Sequence, residues 1–404
     1  MVASTSADDL AEILGGPAYR EYPYDVYSRL REHPGWLAPS GYRVFSTYDD
    51  VLQILRQPDL FGQENVPYPN FHTVDPPEHT RVRRLVAKAF TAQSIHLLRE
   101  RIEQIVARIV GDVVGRGEAD LISDVALKLS AAVTAEVLRV PESDAGMWNQ
   151  WLWDIGRFRG VTSYFSIEQT DPDALEAARS ASAEAASYMQ GLVRTHRHIA
   201  EGGIVKRLFD AREQDETLTE EEVLYTLVLL LGAGLHTTAS QLGNLFRALL
   251  SDPASYTSVR ANPELVENAV EESLRFDGSL QAEYRIARDR VELNGIELEA
   301  GQHVIIVNGA ANHDPAVFGS PETFDIYRAN ARKHLTFGFG IHHCLGAELA
   351  RTQLGEAARQ LVASLPGLRL AGSLTQSGFD RWRGCSSLPV EWNPAWSAKA
   401  NTHG

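Results

Sequence analysis

One ten-residue stretch, Phe337-Gly338-Phe339-Gly340-Ile341-His342-His343-Cys344-Leu345-Gly346, gathers residues that can do chemistry. A glycine-punctuated loop delivers Cys344 to the mouth of a helix that the sequence predicts from Leu345 onward. The free N–H groups and positive dipole end of a helix favour a thiolate there. Thiolate is the form that ligates a soft or borderline metal. Gly340 and Gly346 let the backbone pass close to a large flat ligand, and Phe337 offers an apolar wall that keeps water from the sulfur. Zinc fits poorly: His342 and His343 are adjacent, without ligand spacing, and no second cysteine lies nearby.

Other elements must position that sulfur. Asp75-Pro76-Pro77-Glu78-His79-Thr80-Arg81-Val82-Arg83-Arg84 reads as a helix start. At 100° per residue His79 and Arg83 share one face, and Arg81, Arg84 and Lys88 share the opposite one. Glu220 to Leu250 reads as one long helix. Within Ala233-Gly234-Leu235-His236-Thr237-Thr238, the Thr237 hydroxyl can bond back to the Ala233 carbonyl and widen the turn. Glu272 and Arg275 stand three residues apart on a further helical stretch, an ion pair that by itself says little.

Taken together these segments resemble the cytochrome P-450 family over essentially the whole chain. Phe337-x-x-Gly340-x-x-x-Cys344-x-Gly346 resembles its haem-thiolate signature, with Cys344 as the iron ligand. The resemblance implies haem b as cofactor and a contact set of Phe337, Gly340, Gly346 and Ala233. It also implies that His79, Arg83, Arg285 and His342 hold the propionates, and that Glu272, Arg275 and Arg328 form a buried network fixing the loop before the cysteine. Thr237 matches the threonine of the family's oxygen groove. The family usually carries Asp or Glu before it; this chain has His236, and both are candidate catalytic residues for proton delivery. Arg383-Gly384-Cys385-Ser386-Ser387 resembles a C-terminal turn dipping toward substrate, with Cys385 an inert small residue.

The implied activity is that of a monooxygenase, an oxidoreductase using O2 and electrons from a ferredoxin and ferredoxin reductase or an equivalent separate donor. The substrate would be an apolar, partly aromatic small molecule of secondary metabolism. Arg81, Arg84 and Lys88 offer a basic patch for an acidic donor. A second reading keeps the haem but ends in coupling or desaturation without oxygen insertion; a third is a haem-binding sensor or carrier without catalysis.

Composition agrees with these expectations. The chain has 404 residues, enough to enclose a cofactor, and a formal net charge of −15, which argues against nucleic-acid and anionic-membrane partners. Two cysteines exclude a disulfide framework and fit a reducing cytoplasm. The polar, acidic N-terminus reads as no signal peptide or anchor. The uncharged run Val223 to Phe246 has membrane-spanning length, but Thr226, Thr237, Thr238, Ser240, Gln241 and Asn244 mark it as a buried central helix. Further helices are expected over 27–33, 49–56, 95–116, 124–139, 143–160, 172–201 and 205–212, and a small hairpin over 35–46. The expected fold is mainly α with small β-sheets (α+β): the triangular, helix-rich P-450 fold, a single domain over 1–404 with loose ends at 1–15 and 397–404. The long helix would lie over the haem.

Overall fold

The structure, a computed structural model, describes residues 23–63, 70–88, 90–151, 154, 172–195 and 218–394 except 379–380, together with Leu10 and Leu208. The expected helix 205–212, most of the second half of 143–160, the aromatics Trp153, Phe158, Tyr164 and Phe165, and nearly all of both loose ends lie outside the described residues.

The fold is helix-rich with small sheets. The helix Glu220–Ser251 is its centre. Thr219 caps it in a reciprocal box with Glu222, satisfying two N-terminal donors. It is long and apolar enough to cross a membrane. Its polar side chains, however, are engaged inside the protein. Gln241 Oε1 accepts from the Ser279 amide at 2.8 Å, and Asn244 Nδ2 donates to the Asp277 and Arg383 carbonyls at 2.8 and 3.2 Å. A buried amide is costly unless bonded in this way.

Apolar periodicity decides what the helix packs on. Val223, Leu227, Leu231 and Leu235 bury against Val82 and Val86 of the helix Glu78–Ala87, against Ala131 and Ala135, and against Trp148 and Trp151. Leu242, Leu245, Phe246 and Leu249 join a second cluster with Ile105, Ile109, Leu354 and Leu361, bringing in the helices Ala92–Val113 and Ala347–Ser364. Gly234 has a packing reason: a Cβ there would stand 2.7 Å from the Thr134 hydroxyl, so glycine lets the helix Leu127–Leu138 cross closely.

The main sheet has five strands in the order Trp36–Leu37, Arg43–Phe45, His303–Ile306, Glu283–Ala287, Phe61–Gly62. The first two form the expected hairpin, and Arg43–Phe45 then runs parallel to His303–Ile306. A separate hairpin, Val291–Leu293 with Ile296–Leu298, turns at Asn294-Gly295, both in the left-handed region. Helix ends shift by up to a turn from expectation. Tyr24–Glu32 begins right after Pro23, and Ala92–Val113 begins at the Thr91 cap.

Two expectations are corrected. Arg383–Ser387 is a strand paired with Thr375–Gly378, not a turn. It packs on the long helix closely enough that a Cβ on Gly384 would meet Ser240 at 2.6 Å. The helix after the cysteine starts at Ala347, with Gly346 as its cap, rather than at Leu345.

Candidate active site

Cys344 stands two residues before that cap. Its amide donates to the Phe337 carbonyl at 2.8 Å, closing the turn that presents the sulfur. Gly338 and Gly340 take φ of 68° and 72°, conformations that glycine adopts without steric cost. A Cβ on Gly340 would stand 2.5 Å from the Leu55 carbonyl oxygen, so this glycine answers to protein packing. Nothing lies within 4 Å of a Cβ built on Gly346, so this glycine is not forced by protein packing. Cys344 is exposed. The protein packed around it pushes the thiol up, outweighing the Gly346 amide and the guanidinium groups of Arg83 and Arg351. A bound metal cation would deprotonate a ligating thiol outright.

The four predicted propionate residues converge. His79 and His342 are buried with ring centroids 4.4 Å apart. The Ile341 carbonyl leans on His79, yet no ring nitrogen of either histidine has a partner in hydrogen-bonding geometry among the described residues. Burial, then Arg285 and His79, push His342 down to about 2, and burial and Arg83 lower His79. Arg83, one helical turn from His79, donates to the His343 carbonyl. Arg285 is buried and already paired with Glu283 at 3.0 Å, so it brings less free charge than expected. Three residues that the sequence did not single out stand here as well. His72 lies 6.2 Å from the His342 ring. Asp75 approaches His342 Nε2 at 3.9 Å while paired with Arg288. Glu283 accepts from Asn308 at 2.9 Å. Of the predicted basic patch, Arg84 and Lys88 are exposed, but Arg81 is paired with Glu222 of the long helix.

On the long helix, Leu229, Ala233, His236, Thr237 and Ser240 keep accessible surface, and their spacing puts them on one side. Leu345, next to the cysteine, packs against the apolar cluster that holds Val82, Val86, Leu231 and Leu235. The Thr237 hydroxyl donates to the Ala233 carbonyl at 2.6 Å. The helix nonetheless runs unbroken through this turn, so the expected widening does not interrupt it. Burial lowers the His236 pKa, which keeps the ring neutral near pH 7, and its Nε2 has no partner among the described residues.

Two charge networks lie on segments before and after the cysteine. Glu272 and Arg275, both fully buried, pair at 2.7 and 2.8 Å, and Arg328 Nε reaches both Glu272 oxygens at 3.0 Å. The arginines spend their other donors on the carbonyls of Asn312, Gly319, Ser320, Pro321 and Thr323. The second network was not foreseen. Glu271 accepts from Arg351 Nε at 2.6 Å and lies 3.2 Å from His334 Nε2. Arg351 in turn stacks 4.8 Å over the Phe337 ring.

The donor set fits a flat dianionic iron cofactor: one exposed thiol, and unpartnered buried imidazoles with a guanidinium suited to carboxylates. Two grooves of about 440 and 460 Å³ lie elsewhere, one between Arg101 and Arg139, the other beside Trp151 and Glu184; Cys344 lines neither.

Comparison with known proteins agrees with the geometry. The family model described as cytochrome P-450 matches residues 68–362. The mycinamicin IV hydroxylase/epoxidase of Micromonospora griseorubida is 37% identical over 86% of this chain and 89% of its own. The cytochrome P-450 monooxygenase PikC of Streptomyces venezuelae is 34% identical over 96% and 95%. The ligand-free crystal structure of CYP164A2 from Mycobacterium smegmatis superposes with a TM-score of 0.89 at 30% identity, covering 95% of this chain and 99% of that one.

Proposed function

Since this chain belongs to the cytochrome P-450 family and is a haem b monooxygenase, we propose that it inserts oxygen into an apolar, partly aromatic small molecule of secondary metabolism. The observation that carries this reading is the turn that closes Cys344 onto Phe337 at 2.8 Å beside the unpartnered imidazoles of His79 and His342. A relative whose name records both hydroxylation and epoxidation supports oxygen insertion as the outcome.

Cys344 would ligate the iron, and His79, Arg83 and His342 would hold the propionates, with Arg285 seconding them from its pair with Glu283. Thiolate-ligated haem supplies the O2 reduction and O–O cleavage. The protein's part is positioning, dryness and protons. Leu229 and Ala233 present an apolar surface to substrate. The Thr237 hydroxyl, anchored on Ala233, accepts a proton bond from water on its free lone pair. His236 Nε2, neutral and unpartnered, takes up or releases a proton next to it. Electrons come from a separate ferredoxin-type donor in the cytoplasm, to whose acidic face Arg84 and Lys88 are exposed.

Turnover with isotopically labelled O2 tests this. Label in the product is expected. Oxidised product without label would favour the second reading, coupling or desaturation, which His236 in the usual place of an acid favours.

A further inference from the structure

Cys344 is flanked by two residues that converge on one carboxylate. His334 lies ten positions before it and Arg351 seven after it, and both reach Glu271, at 3.2 and 2.6 Å. Glu271 is buried on the helix Leu265–Phe276, and these two partners hold its carboxyl down at about 2, against the pull of burial. It is therefore a permanent anion tying the two ends of the loop together.

Arg351 does a second thing. Its guanidinium lies 4.8 Å over the Phe337 ring, within the range of a cation–π contact. His334 and His343 stand 5.5 and 6.4 Å from the same ring, so Phe337 is held on three sides. Phe337 also supplies the carbonyl that receives the Cys344 amide. A chain of contacts therefore runs from Glu271 through Arg351 and Phe337 to the backbone of the cysteine.

We propose that Arg351 is a positioning residue: tethered by Glu271 and stacked on Phe337, it holds the Phe337–Cys344 turn closed and so fixes where the sulfur points. The planar guanidinium is required, because a lysine can keep the ion pair but cannot stack. This inference rests on the reading of Cys344 as haem ligand.

The test compares the haem-loaded wild type with Arg351→Lys, Arg351→Gln, Phe337→Leu and the Phe337→Leu/Arg351→Lys double variant. Two readouts apart from activity are followed: amide hydrogen exchange across 337–346, and the decay of the thiolate-type band of the reduced carbonyl complex. Thermal midpoint serves as the control for gross stability. In Arg351→Lys, exchange and band decay should both quicken about three-fold, the effect of losing one contact of this strength, with the midpoint nearly unchanged. In the Phe337→Leu background the lysine change should add nothing further. Wild-type behaviour of Arg351→Lys, or additive effects of the two changes, would overturn the proposal. Arg351→Gln removes charge and stacking together and should quicken both rates at least as much; wild-type rates there would overturn the proposal as well. If the wild type itself gives no thiolate-type band, the haem-thiolate reading fails instead, and the two failures are thus separable.

Discussion

The Thr237 hydroxyl donates to the carbonyl of Ala233 at 2.6 Å within an unbroken helix. The threonine side chain is thereby fixed, with its oxygen lone pairs still free for water. Thr237→Ala removes that oxygen while a good helix former keeps the backbone. Product formed per reductant consumed should fall about ten-fold or more, the scale of losing a proton-transfer group. The missing electrons should appear as hydrogen peroxide. Unchanged coupling would remove Thr237 from proton delivery.

His236 carries an unpartnered Nε2, and burial holds its pKa below 6.5. The neutral ring is therefore the form present at pH 7. Turnover should be flat upward from pH 6.5 and decline only on the acid side, as the imidazole charges. His236→Ala should lower coupling about ten-fold, and His236→Glu should recover much of it, because a carboxylate can also relay protons. A flat acid limb in the wild type, or an alanine variant as well coupled as the wild type, would show the ring to be packing only.

The Glu272 carboxylate faces two buried guanidinium groups, Arg275 and Arg328. Glu272→Gln keeps the shape but leaves two charges with no counterion. Breaking such a pair costs about 3–5 kcal/mol. Denaturant unfolding of the cofactor-free protein should report a loss on this scale; a loss below about 1 kcal/mol would mean that the arginines are satisfied by carbonyls alone.

Glu271 gives a pH signature. In the folded protein its carboxyl stays ionised to about 2, against 4.5 when unpaired. A depressed carboxyl stabilises fully above the unfolded value and loses that contribution as pH falls through the folded one, so the window runs from about pH 4.5 down to 2. Allowing for screening, about 2 kcal/mol of stability should drain away in this window. Glu271→Gln should be less stable at pH 7 and flatter with pH below 4.5. An equally steep acid limb in the variant would assign the loss to other groups.

Local signals carried the cysteine loop, the threonine turn and the Glu272–Arg275 pair, since each is a spacing within one element. The His79–Arg83 face was readable for the same reason. What stayed hidden joins distant parts of the chain. Arg81 reads as a free surface cation until Glu222, 141 residues on, is seen beside it. Arg351 reads as an ordinary helix arginine until Glu271, 80 residues back, and Phe337 close it in.

The strand Arg43–Phe45 takes its parallel neighbour from His303–Ile306, some 260 positions later. During synthesis at 5–20 residues per second, that edge waits roughly 13–50 s for its mate. Val44 and Phe45, which end up fully enclosed, lack the cover of that strand for the interval. Ribosome-bound intermediates of this enzyme should therefore recruit chaperones at their N-terminal segment until residue 306 has cleared the exit tunnel. Slowing translation between 45 and 303 should lower soluble yield more than slowing it after 306.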